Sequence, residues 1–468
     1  MRKGCILIVD LNLQISSLKS KKNRLTKIII IAVTAALLLV GTVPSFAAEA
    51  QSADIDYSDA PEVAGTSVIM IDGGSGDILY EKNSRQPRDP ASITKILTCL
   101  VVLENMELDE KVTVKHDPID TGEKISIKKG EVLTVEQLLY AMMLPSANDA
   151  AEVLAIAAGG DIETFCKMMN DKAKECGAEK TNFTNANGLN VPGQEKHRTT
   201  AYDIAMISKE AMKNKTFRKL VSSEKYTIPA TNMSDERILR STNPCLGLYE
   251  GTTGIKTGTT SVAGYCFCGA AKKDDTELIV VNLNSKEDLR FSETIKLWDY
   301  GFSKYYTYKA ADGKTEIDDV KVKRGDLRSV QVGASEDLDV TLNKGYDSKN
   351  ITTGYELDSK ELKAPIKKGT KVGTLTAYNE SKEAVASVPL VTLEPVEEGG
   401  ILSYIGIADE DRILFAAGVV IAFFLLMIIM TLRKRMNRKK YVRRRAKRQR
   451  NVRRREWEKE KNPFNNDL

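Results

Sequence analysis

The chain has 468 residues, with 69 Lys+Arg against 64 Asp+Glu and only 2 His, for a formal net charge of +5. Two histidines argue against a histidine-based metal centre and against a Ser-His-Asp triad, so any chemistry must use other residues. The charge is also unevenly spread: residues 1–50 carry +5 and residues 433–468 carry +13, leaving −13 for the body between basic ends, which is no ordinary cytosolic globule.

The basic cluster Lys21, Lys22, Arg24 and Lys27 precedes an apolar run from Ile28 to Val40 and a small-residue exit from Ser45 to Ala50. That order predicts a secretory signal peptide with a long basic lead-in over residues 1–47, cleaved after Ala47 or Ala50. Residues 62–308 read as one mixed α/β (α+β) domain. Ser67–Ile71 and Gly76–Tyr80 flank the turn Asp72-Gly73-Gly74-Ser75 as a hairpin. A helix follows Pro90 over Ala91–Glu104, and Thr134-Val-Glu-Gln137 is a capping box opening a helix that Pro145 interrupts. Further helices are expected over Asp161–Cys176 and Thr200–Lys213, and strands over Gly264–Ala271 and Glu277–Asn282. Helices inserted between hairpins imply an antiparallel sheet flanked by helices.

From Thr315 valine and threonine alternate with charged residues, as in Val320-Lys-Val-Lys, which predicts a small all-β domain over 315–393. An acidic linker over 394–412 leads to Ile413–Leu432, twenty residues without a charge. At 1.5 Å per residue that run is about 30 Å long, the thickness of a bilayer's hydrocarbon core, so it is read as a transmembrane helix. The basic tail over 433–468 places the C-terminus in the cytoplasm and the acidic body outside the cell. Next to a span, seventeen basic residues point to anionic lipid rather than nucleic acid as the tail's partner. Six cysteines fall in the exported part. An even count admits disulfides, yet Cys99, Cys166 and Cys176 lie in helical patterns as small apolar residues, so buried free thiols are preferred.

Three short patterns carry the chemistry. Ser92-Ile-Thr-Lys95 puts a hydroxyl and an amine on one helix face, where a lysine held neutral can act as the base for the serine. Ser146-Ala-Asn148 follows Pro145 on a loop between helices, and Lys256-Thr257-Gly258 lies on a strand whose glycine permits close approach of a ligand. The first two spacings recur elsewhere in the chain, and only Lys256-Thr257-Gly258 is unique. S-x-x-K, S-x-N and K-T-G in this order mark penicillin-binding proteins and serine β-lactamases.

With Pro90–Lys95, Ser146–Ala150, Asn187-Gly-Leu189, Thr200–Asp203, Gly254–Thr260 and Ala263–Cys266, the chain resembles the serine D-alanyl-D-alanine carboxypeptidases, the low-molecular-mass penicillin-binding proteins. The resemblance implies a β-lactamase-like transpeptidase domain followed by a small all-β domain and a C-terminal transmembrane helix. It implies Ser92 as nucleophile on peptidoglycan stem peptides, Lys95 as its base and Ser146 as a proton relay. Asn148 would bind substrate backbone, Lys256 and Thr257 the terminal carboxylate, and the N–H groups of Ser92 and Thr259 the oxyanion, with Gly258 between them. β-Lactams would inhibit; no cofactor and no metal are expected. Many family members carry His where this chain has Thr259, which bears on substrate preference. His197 is read as a loop-packing residue and His116 as a surface one. A β-lactamase, a D,D-endopeptidase or transpeptidase, and an idle wall-binding scaffold remain alternative readings.

Overall fold

Residues that alternate in sequence are divided between two cores by a single sheet. A computed structural model describes residues 57–461 apart from 191, 192, 194 and 195, so the leader expected over residues 1–47 lies outside the described residues. In chain order the first unit contains β1 (Ser67–Asp72), β2 (Ile78–Lys82), α1 (Lys95–Asn105), α2 (Val135–Met143), α3 (Asn148–Gly159), α4 (Ile162–Glu175), α5 (Ala201–Lys213), β3 (Thr252–Thr260), β4 (Gly264–Lys273), β5 (Thr276–Ser285) and α6 (Arg290–Lys304). The sheet is antiparallel throughout, in the order β2-β1-β5-β4-β3.

Val68 and Met70 of β1 and Leu278 and Val280 of β5 face one side, against Leu297 and Trp298 of α6. Ile69, Ile71, Ile279, Val281 and Leu283 face the other, into a core shared with Ile96 and Leu100 of α1 and Ile204 and Ile207 of α5. A strand covered on both faces needs apolar residues at every position, which is why the β5 sequence reads as a continuous run. Each such side chain contributes roughly 1.5–3 kcal/mol by leaving water.

Helix starts follow the local signals. The Thr134 hydroxyl accepts the N–H of Gln137 (3.2 Å) while the Gln137 side chain accepts the N–H of Thr134 (2.9 Å), completing the capping box. Asp161 caps α4 through the N–H of Thr164, and Thr200 caps α5 through the N–H of Asp203. The six cysteines of the described residues are free thiols; five are buried and Cys176 is half-buried.

The second unit is built from β6 (Tyr305–Ala311), β7 (Glu316–Lys323), β8 (Ser329–Ala334), β9 (Leu338–Asn343), β10 (Thr352–Leu357), β11 (Glu361–Lys363), β12 (Lys371–Tyr378) and β13 (Ala384–Thr392). Six strands form a sheet in the order β10-β12-β13-β8-β7-β11, and β6 pairs with β9 over its own core of Val320, Val332, Leu338, Val340 and Leu375. Two features differ from the expected boundaries at 308, 315 and 393. The chain passes from α6 into β6 at Tyr305 without an intervening loop, so the β-rich unit begins before 308. Beyond 393, Val396 bridges Ile366 and Glu398 bridges Gly325, so the expected linker is partly bound to the sheet.

The units meet around the β1–β2 turn. Buried Asp72 accepts the N–H groups of Gly74 (2.8 Å) and Ser75 (3.1 Å) and the Thr307 hydroxyl (2.5 Å), while Lys209 donates to the Ser75 carbonyl (2.8 Å). At the C-terminus α7 (Arg412–Lys461) is one helix of 50 residues. It is long and apolar enough over 413–432 to cross a membrane.

A buried ion pair ties the 128–131 turn to residues 231–237. Glu131, fully buried, accepts both terminal nitrogens of Arg237 (2.8 and 3.0 Å), the Thr231 hydroxyl (2.7 Å) and the N–H of Lys128 (3.0 Å). Glu131→Ala strands the arginine charge and is expected to cost about 3–5 kcal/mol. Urea unfolding followed by the fluorescence of buried Trp298 measures it; an unchanged midpoint would remove the pair from the stability of this unit.

Candidate active site

Ser92 does not open an α-helix directly. Ala91–Thr94 form one 3-10 turn, and Lys95 is the first residue of α1. Residues three apart eclipse in a 3-10 turn, so Ser92 stands directly over Lys95. The Lys95 Nζ lies 2.8 Å from the Ser92 Oγ, 2.7 Å from the Asn148 Oδ1 and 2.8 Å from the Asn187 carbonyl oxygen. Of these three neighbours only the serine hydroxyl can donate. A neutral amine therefore matches the cage: its two N–H bonds go to the amide and carbonyl oxygens, and its lone pair faces the serine proton. Lys95 is fully buried, and burial, reinforced by the charge on Lys256, holds its pKa well below the usual lysine range against the opposing pull of Asp149 and Glu123.

Lys256, on β3, is likewise buried; burial lowers its pKa to about 7, with Arg290 acting in the same direction and Glu123 opposing. Its ammonium donates to the Thr257 carbonyl (3.1 Å). The Thr257 hydroxyl is paired with that of Thr242 (2.6 Å). A Cβ on Gly258 would stand 3.0 Å from the Ser92 nitrogen and 3.1 Å from that of Ile93, so the glycine keeps open the space in front of those N–H groups. Thr259 is exposed at the rim, and its hydroxyl accepts from Arg290 (2.9 Å).

Ser146 is buried with φ +67°, and its hydroxyl has no hydrogen-bond partner among the described residues. Asn148, expected on the loop, is instead the first residue of α3. Its amide is shared between Lys95 and the Thr121 carbonyl (2.9 Å), and its N–H binds the Glu123 carbonyl (2.7 Å). Ser92, Lys95, Asn148 and Gly258 are thus brought together directly, Lys256 acts on Lys95 through its charge, and Ser146, Thr257 and Thr259 are their neighbours along the chain.

Four contributors carry no role in the sequence reading. Arg290, at the start of α6, belongs to no pattern. Thr242 lies on an otherwise unremarked loop. Asp149 is inside the quoted Ser146–Ala150 stretch; its carboxylate accepts the N–H groups of Ile125 (3.2 Å) and Ile127 (3.0 Å) and fastens the 119–127 segment over the site. Asn187 acts through its carbonyl, which no side-chain motif can reveal. His197 is buried behind the turn that carries Ser92: its Nδ1 accepts the N–H of Thr184 (3.0 Å), so the neutral ring donates from Nε2 to the Thr94 hydroxyl (2.9 Å). Burial lowers its pKa to about 4, consistent with a packing role. His116, read as a surface residue, is half-buried with Nε2 3.6 Å from Glu152.

A serine and a desolvated lysine in front of an antiparallel sheet, with K-T-G on its edge strand, define the penicillin-binding class of serine enzymes. Residues 54–287 match the family described as D-alanyl-D-alanine carboxypeptidase, and residues 305–398 match the C-terminal domain of penicillin-binding protein 5. The D-alanyl-D-alanine carboxypeptidase DacF of Bacillus subtilis is 32% identical over 72% of this chain and 87% of its own length. DacC of Escherichia coli is 33% identical over 79% of this chain and 92% of its own. The crystal structure of penicillin binding protein 5 from Haemophilus influenzae superposes with a TM-score of 0.57 at 28% identity, covering 72% of this chain and 99% of that one. The chain belongs to the D-alanyl-D-alanine carboxypeptidase family.

Gly188 has φ +82°, and a Cβ there would fall 1.8 Å from the Ala91 carbonyl oxygen. Gly188→Ala must therefore displace the turn that carries Ser92. A shift of about 1 Å at reacting atoms costs on the order of 10²-fold, so the second-order rate of labelling by a fluorescent penicillin should fall by about that factor. Labelling within twofold of the parent would show that the turn tolerates the displacement.

Proposed function

We propose that the protein is a serine D-alanyl-D-alanine carboxypeptidase that removes the terminal D-Ala from peptidoglycan stem pentapeptides through an acyl-enzyme on Ser92. The observation that carries this reading is the buried Lys95 amine, 2.8 Å from the Ser92 hydroxyl with its other two contacts restricted to acceptors. Lys95 takes the serine proton as Oγ attacks the carbonyl of the penultimate D-Ala. The oxyanion forms in the space kept by Gly258, between the N–H groups of Ser92 and Thr259, where fixed donors stabilise charge as it develops. The unpartnered Ser146 hydroxyl relays that proton from Lys95 to the departing D-Ala amine, which returns Lys95 to the neutral form. Water then attacks the ester, Lys95 receives its proton, and the shortened peptide leaves as Ser92 Oγ is reprotonated.

Lys256 and Thr257 hold the terminal carboxylate, with Arg290 supplying a second cation at the Thr259 rim. Asn148 has two roles in this scheme. Its Oδ1 accepts from Lys95 and orients it, and the Nδ2 hydrogen not directed to Thr121 would meet a substrate carbonyl. β-Lactams mimic the same peptide and would acylate Ser92. The helix 413–432 would anchor the protein in the cell membrane as a single pass, following a leader over 1–47. Residues 62–308 and 315–393 would lie outside the cell and the tail 433–468 in the cytoplasm, against anionic lipid rather than nucleic acid.

Release of D-Ala from a pentapeptide is the direct test, run beside labelling by a fluorescent penicillin. Ser92→Ala should abolish both, and turnover of penicillin without D-Ala release would indicate a β-lactamase instead. Lys95→Arg keeps the charge and removes the proton acceptor, so acylation should drop by roughly 10²–10⁴-fold; near-normal acylation would take the base role from Lys95. The two lysines also predict opposite pH limbs. Acylation falls toward acid as Lys95 gains a proton. Affinity for carboxylate-ended peptide falls as pH rises through about 7 and free Lys256 loses its charge, seen as a rising KM. Lys256→Arg should flatten the alkaline limb; an alkaline limb retained in that variant would assign it to another group.

A further inference from the structure

The lower end of the β-rich unit is strapped to the start of α7. Gly399 donates to the Arg324 carbonyl (2.8 Å), Asp326 accepts the N–H of Glu397 (3.0 Å), and Glu410 donates to the Asp326 carbonyl (3.3 Å). Arg328 pairs with Asp411, and Arg412 with Asp409 at 2.6 Å. The 324–328 turn is therefore held beside Asp411, only two residues and about 3 Å of helical rise before the first apolar residue of the 413–432 run.

Three side chains of the adjoining segment point into solvent: Ile401 is 89% exposed and Ile405 70% with nothing polar to recommend them, and Tyr404 is 56% exposed with its hydroxyl donating to Glu398 (2.7 Å). Beside them opens a cleft of about 540 Å³ lined by Lys321, Lys323, Arg324, Arg328 and Tyr404, with the carboxylates of Glu361 and Asp411. Those two carboxylates are taken up by Lys323 (2.5 Å) and Arg328. Lys321 and Arg324 remain as exposed cations without an ion-pair partner among the described residues, Arg324 lying over the Tyr404 ring at 4.9 Å. Apolar side chains seek the headgroup–acyl boundary, tyrosine the headgroup level and cations the phosphates. This end of the molecule presents all three, in that arrangement, where a span begins.

We propose that this cleft binds the phosphate headgroup of an anionic phospholipid in the leaflet where the span starts, with Ile401 and Ile405 inserted beside it and Lys321 and Arg324 on the phosphate. The inference rests on reading 413–432 as a membrane span. It concerns the leaflet opposite the basic tail, and it makes the β-rich unit itself a lipid-contacting element.

Hydrogen exchange of the full chain in lipid nanodiscs tests it, comparing discs of phosphatidylcholine with discs that also contain phosphatidylglycerol. Peptides covering 321–328 and 400–411 should exchange about fivefold or more slowly on the anionic discs, the effect of one basic residue at such a surface. The double variant Lys321→Gln, Arg324→Gln should lose that difference while peptides of the 433–461 tail keep theirs and penicillin labelling is unchanged. Equal exchange on both discs, a difference that survives the double variant, or equal protection on phosphatidylcholine by added soluble glycerol phosphate would each overturn the lipid site. A chain that enters neither disc would instead overturn the span, and the headgroup site with it.

Discussion

Everything at the catalytic face depends on keeping one lysine out of water. Lys95 is among the largest fully buried side chains of the protein, and a buried ammonium without a counter-charge is costly. The surroundings supply oxygen acceptors but no carboxylate in hydrogen-bond contact, and they add a second buried cation, Lys256. The low-energy state is then the unprotonated amine, which is the form that can take a proton from Ser92. Lys256 has a double part in this. Its charge bears on Lys95 in the empty site, and in the proposed scheme a substrate carboxylate that neutralises it would change the field at Lys95 as the reaction starts.

The backbone near these groups is held in uncommon conformations. Ala91, just before Ser92, has φ +48° and Ser146 has φ +67°, each at about 1–3 kcal/mol. Close packing keeps them there. Gly188 lies against the Ala91 carbonyl, and Asp149 grips the segment that crosses above Asn148. The double-sided sheet supplies the stiffness, since β5 is packed on both faces and the K-T-G strand lies two places from it.

Much of this was legible in the sequence because it resides in side chains and caps. Thr134, Asp161 and Thr200 announce their helices by chemistry local to one turn, and Ser92, Lys95, Ser146 and Lys256 fall in spacings with a mechanical meaning. What escaped is what depends on distant contacts. Arg290 reaches Thr259 across 31 positions of sequence, and Asn187 contributes a carbonyl that every residue type possesses. The break of the first helix into a 3-10 turn was not legible either; the carbonyl of Ala91 in that turn lies where only a glycine fits opposite it, at Gly188, nearly a hundred residues away. The junction at Tyr305 was also hidden, because a strand following a helix without a turn leaves no Gly or Pro to mark it.

That seamless junction has a geometric consequence. With α6 running straight into β6 and the 397–411 segment stitched to the 324–328 turn, the chain has little slack between the start of α7 and the unit that carries Ser92. Anchored as proposed, such a molecule would work as a depth gauge: it could spin about its anchor and drift laterally, but Ser92 would stay at one height. The material it can process would be a thin stratum parallel to the membrane, and the age of the wall lying in that stratum would select the substrate as firmly as the pocket does.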